Sequence, residues 1–73
     1  MANVIQVPNL ADDNAYYVWP GETGPQWGNQ RSFAAASVVR TPFPEADWTR
    51  ATDAAAKEAD QNGVPTVYVV RNT

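Results

Sequence analysis

The chain has no histidine and no cysteine. That removes the commonest general bases, the thiolate nucleophile and the usual soft metal ligands. Carboxylates, hydroxyls and a single lysine, Lys57, remain. Glycoside hydrolysis needs two carboxylates facing one another across a bond. Asp12-Asp13 could supply one half and Glu22 the other, but carboxylates adjacent in sequence point apart, and a solvated turn is the better account. The run Asp12-Asp13-Asn14 lacks the alternating oxygen ligands and distal glutamate of a calcium loop. GETG (21–24) and GPQWG (24–28) lack the Gly-Lys-Ser/Thr ending of a phosphate cradle. Ser32 and Ser37 have no base to activate them, and Lys57 falls on the polar face of a helix. The expectation is a protein that is not an enzyme and carries no metal and no cofactor.

The chemistry left is recognition. The stretch YYVWPGETGPQWG (16–28) holds two of three tyrosines, two of three tryptophans and three of four glycines. Protein interfaces favour Trp, Tyr and Arg and are depleted in Lys; the chain has one lysine against four arginines. Arg31 follows the aromatic stretch and could anchor its edge. Candidate partner-binding residues are therefore Tyr16, Tyr17, Trp19, Glu22, Trp27, Arg31 and Tyr68. A sugar ring could instead stack on Trp19, Trp27 and Tyr17, with Asp12, Asp13, Asn14, Asn29 and Gln30 nearby in sequence. Against both stands the ordinary reading that aromatics in a small domain are core, because they bury the most area per residue.

Seventy-three residues make one domain, 1–73. Leu, Ile, Val and Phe together number 13, few enough to raise the question of disorder. A net charge of only −3 and eight aromatics argue for a folded chain. The five cationic residues are scattered, so no basic run exists to neutralise phosphates, and nucleic acid is not an expected partner. No 18-residue apolar stretch is present for a membrane span. MANVIQVPNL has no basic region and no long apolar core, so a signal peptide is not expected. The expected location is the cytoplasm.

The elements that must position these residues follow from periodicity. NVIQV (3–7) reads as a strand closed by Pro8-Asn9, and LADDNA (10–15) as a polar connector. AYYVW (15–19) is β-branched and aromatic, hence a second strand stopped by Pro20-Gly21. Residues 21–30 read as a loop. SFAAASVVR (32–40) reads as a third strand, Val38-Val39 outweighing the helical propensity of its alanines. In TPFPEADWTRATDAAAKEADQNG (41–63), Pro44 suits a first helical turn, and Glu45 and Asp47 complement the helix dipole. Trp48, Ala51, Ala55 and Ala59 form an apolar stripe, and Asn62-Gly63 stops the helix. VPTVYVVRN (64–72) is a final strand, with Val67 and Val69 on one face and Tyr68 and Val70 on the other. The expected fold class is α+β: a small single-layer antiparallel-rich sheet, β-β-β-α-β, with one helix packed on one face.

One helix covers one face of such a sheet, yet both faces of the second and last strands are apolar. Either Trp19 and Trp27 fold over the second face as a lid, or that face meets another molecule. The functional expectation is a small acidic interaction domain that binds a protein partner, or itself, through the aromatic loop and the helix-free face. It would be an adaptor or inhibitor, or a subunit of a larger assembly such as a phage particle. The alternative is a small-ligand or carbohydrate-binding module stacking its ligand on Trp19 and Trp27.

Overall fold

The computed structural model describes residues 3–7, 14–36, 38–39 and 42–71. The expected connector LADDNA lies outside them except for its last two residues, as do Asp12, Asp13, Ser37 and Arg40. Four strands form one sheet: β1 (Asn3–Val7), β2 (Tyr16–Gly21), β3 (Gly24–Asn29) and β4 (Thr66–Val70), in the order β1-β4-β2-β3. A five-residue helix α1 (Gln30–Ala34) follows β3, and the main helix α2 (Glu45–Gln61) precedes β4.

α2 forms where its sequence pattern demands. Its buried residues are Trp48, Ala51, Ala55 and Ala59. The small alanine side chains let the helix lie close on the sheet, and Trp48 fills the space at one end. They meet Val18 of β2 and Val67 and Val69 of β4 in the first apolar layer. The helix starts after Pro44 with Glu45 and Asp47 in its first turn. It stops at Asn62-Gly63, where Gly63 takes φ +69°, a left-handed conformation that suits glycine. The Val64 N–H then closes the cap on the Ala59 carbonyl at 2.8 Å.

The α+β class with one main helix across one sheet face is as expected, but the pairing is mixed rather than antiparallel-rich. β2 pairs antiparallel with β3, while β4 runs parallel to both β1 and β2. A 17-residue helix between β3 and β4 carries the chain along the sheet, so the returning strand can lie parallel to β2.

The third strand lies earlier than expected. Residues 24–29, expected as loop, form β3, joined to β2 by the two-residue turn Glu22-Thr23. Proline and glycine suggested a loop, but Pro25 is harmless here. It sits opposite Pro20 in a pair with no N–H on either side, which must be a non-hydrogen-bonded pair of the ladder. The segment expected as strand, 32–40, begins instead with α1. Asn29 supplies the cap, its Oδ1 accepting from the Ser32 N–H at 2.9 Å. With β3 and β4 on its two sides, β2 has no free side for a 32–40 strand, and the alanines follow their helical propensity.

α1 covers the second face of the sheet. Ala15, Tyr17, Trp19 and Val70 are buried there against Phe33 and Ala36, three residues apart. Phe33 stacks on Tyr17 at 4.7 Å with the rings 1° from parallel, and lies 5.6 Å from the Trp19 ring. Close approach depends on Gly28, where an added Cβ would come within 2.9 Å of the Ser32 Cβ and 3.3 Å of the Trp19 ring. The Val39 N–H donates to the Pro20 carbonyl at 2.9 Å. The lid expected from Trp19 and Trp27 is therefore built from Phe33 and Ala36.

Candidate interaction surface

Strand alternation distributes the candidate residues. Tyr16, Val18 and Trp27 point to the α2 side, because Trp27 stands opposite Val18. Tyr17, Trp19 and Tyr68 point to the α1 side. Tyr17 is 0% and Trp19 6% exposed, so neither offers surface to a partner in this fold. Tyr68 is half-buried, its ring 5.6 Å from Tyr17. Glu22 is exposed in the β2–β3 turn, and Arg31 is exposed on α1. The seven residues therefore do not form one patch. Trp19 and Trp27 lie on opposite faces of the hairpin, so no ligand can stack on both.

Trp27 and Tyr16 do come together. Their ring centroids are 6.3 Å apart. Tyr16 is held by the Asn62 side-chain amide, which donates to its hydroxyl at 3.2 Å and to the Glu58 carbonyl at 2.9 Å. Trp27 is 38% exposed, the most exposed described tryptophan. It overhangs an open groove of about 430 Å³ between β3 and α2. Pro25 and Trp27 form one wall; Asp47, Arg50, Ala51 and Ala54 form the other.

The helical wall was not anticipated. Asp47, Arg50, Ala51 and Ala54 recur at helical spacing beside the buried stripe, a pattern visible in the sequence. Only the placement of β3 beside that flank makes it half of a groove. The guanidinium of Arg50 is 3.7 Å from the Asp47 carboxylate, with 80% of its side chain exposed. Such a loose pair leaves both charges available to a partner at little cost.

The groove has a flat aromatic face, two small apolar side chains and one charge of each sign. It holds no carboxylate pair and no nucleophile with a base beside it. Among the described residues no three acidic, histidine or cysteine side chains gather to hold a metal. No buried side-chain nitrogen or oxygen among them lacks a hydrogen-bond partner. Asn29, a candidate sugar contact, is committed to capping α1. No described helix is long and apolar enough to cross a membrane. No known protein family, curated protein or solved structure matches this chain.

Proposed function

We propose that this chain is a non-catalytic interaction domain that engages a protein partner through Trp27 and the groove beneath it. The observation carrying this reading is the exposure of the Trp27 indole beside Arg50 and Asp47. Trp and Arg are the side chains that most often dominate interface energies, particularly beside a pocket that excludes water. Tyr16 backs the indole and Asn62 braces Tyr16, so little side-chain freedom remains to be lost on binding. Tyr17, Trp19 and Tyr68 support the shelf from the core rather than touching the partner. Glu22 and Arg31 lie at the turn and on α1, where they could reach the rim of a larger contact. An adaptor, an inhibitor or a subunit of an assembly would each use such a surface.

The test compares immobilised wild-type chain with Trp27→Ala and Arg50→Ala, alongside titration of a sugar panel followed by tryptophan emission. A protein retained by wild type and lost with both variants, with sugars silent, supports the reading. A sugar-induced emission shift that disappears in Trp27→Ala overturns it in favour of carbohydrate. Retention unaffected by either substitution removes the groove from consideration.

A further inference from the structure

The two edges of the sheet are not alike. At the β3 edge, residues 24, 26 and 28 pair with β2, because the Pro20–Pro25 pair is non-hydrogen-bonded. Residues 25, 27 and 29 thus turn their backbone outward. The first is proline, with no N–H to offer, and the last ends the strand as the N-cap of α1, where the chain turns into the helix. That edge is blunted.

The β1 edge has none of these devices. NVIQV carries no charge and no proline, and natural edges commonly use both to prevent pairing. The Asn3 N–H donates to the Pro65 carbonyl at 2.9 Å. In a parallel ladder this phase directs residues 3, 5 and 7 toward β4, and Val4 and Gln6 away from it. No described strand pairs with that outer side. Val4 is 45% and Ile5 41% exposed.

We propose that the β1 edge binds β1 of a second copy of this chain, antiparallel, about a two-fold axis through Ile5. The edge is self-complementary in that register. Val4 falls opposite Gln6 of the second copy, and Gln6 opposite its Val4. Both are then hydrogen-bonded pairs, exchanging N–H and C=O reciprocally, so every outward group of Val4 and Gln6 is satisfied. Ile5 meets its own counterpart in the non-hydrogen-bonded pair between them, where side chains approach most closely. The contact is isologous and closes on itself. No charge on either strand opposes another, although each chain carries −3. Its product is a continuous eight-stranded sheet, since the two four-stranded sheets join edge to edge. Five residues of ladder bury far less than a standard stable interface, so association is weak and depends on concentration. The edge lies at the opposite side of the sheet from Trp27, and the proposal stands independently of the groove.

The experiment is solution mass by light scattering and sedimentation, over a roughly hundredfold concentration range, for wild type, Ile5→Lys and Gln6→Pro. Wild type should climb from 8.0 kDa toward the dimer. Ile5→Lys puts like charges face to face, and Gln6→Pro removes an outward donor without touching the β4 ladder. Both should weaken association at least tenfold while still melting cooperatively. A second readout does not depend on those variants folding well. Ile5→Cys introduces the chain's sole thiol at the axis and should oxidise to a disulfide-linked dimer much faster than Glu22→Cys. A constant monomer mass for wild type overturns the proposal. So does association that Ile5→Lys leaves intact, or equal cross-linking of the two cysteine variants.

Discussion

Trp48 and Arg71 show how a residue's surroundings set its worth. Trp48 is 3% exposed and anchors one end of the first apolar layer. The Arg71 guanidinium carbon lies 4.8 Å from its ring centroid, while Arg71 Nη2 meets Glu45 Oε1 at 2.6 Å. One arginine at the end of β4 thus joins the first turn of α2 to its buried indole. The ion pair itself contributes little, because the Glu45 side chain is 73% exposed and screened by water. Trp48→Ala should cost about 3–5 kcal/mol, as for a deleted core aromatic. A domain of this size holds only about 5 kcal/mol in total, so the variant should stand at the edge of unfolding and melt on mild warming. Arg71→Ala should cost only about 1 kcal/mol. Equal losses in the two denaturant titrations would show that the arginine, not the indole, seats the helix.

At the scale of elements, α1 matters beyond its five residues. A helix so short has little stability of its own. It persists because Asn29 caps it and because Phe33 and Ala36 lie on Tyr17 and Trp19. Phe33→Ala should lower stability by about 2–4 kcal/mol and shift tryptophan emission to the red as water reaches Trp19. Asn29→Ala should cost about 1 kcal/mol by loss of the cap alone. If Phe33→Ala melted like wild type with unchanged emission, α1 would not be the cover of that face. The elements also differ in how plainly the sequence announces them. The Trp48-Ala51-Ala55-Ala59 stripe repeats at helical spacing, so α2 could be read with its buried face. The alternation of β4 was equally plain. β3 and α1 were not legible, because GPQWGN carries the local marks of a loop and SFAAASVV suits either backbone state. Pairing with the side of β2 that β4 does not occupy decided the first, and the Asn29 cap with the need to bury Tyr17 and Trp19 decided the second.

For the whole molecule, the sheet is a shared wall between two apolar layers. β2 contributes Val18 to one and Tyr17 and Trp19 to the other; β4 contributes Val67 and Val69 to one and Val70 to the other. Neither layer can loosen without disturbing the strand that supports its opposite. Unfolding should therefore be a single cooperative transition. Far-UV circular dichroism should give one midpoint, and emission from Trp48→Phe and Trp19→Phe variants, each keeping one buried tryptophan, should follow the same transition as the dichroism of that variant. An emission change well separated from the backbone signal in either variant would mean the two layers melt apart.

By itself the sequence determined the class of the fold, the span and buried stripe of α2, the two-faced character of β2 and β4, and the poverty of groups for acid–base or thiol chemistry. These are properties of residue type and short-range spacing, which act before any distant contact forms. Tertiary structure alone decided which aromatics face water. Tyr17 and Trp19 are adjacent in type and position to Tyr16 and close to Trp27, yet alternation sends them to opposite sides of the sheet, and α1 buries one pair while α2 leaves Trp27 overhanging a groove. Tertiary structure also decided that Pro25 blunts one edge and that no described strand or proline blunts the other. Strand order and hydrogen-bond phase are set by partners far apart in the chain, and a local pattern of residues carries no record of them.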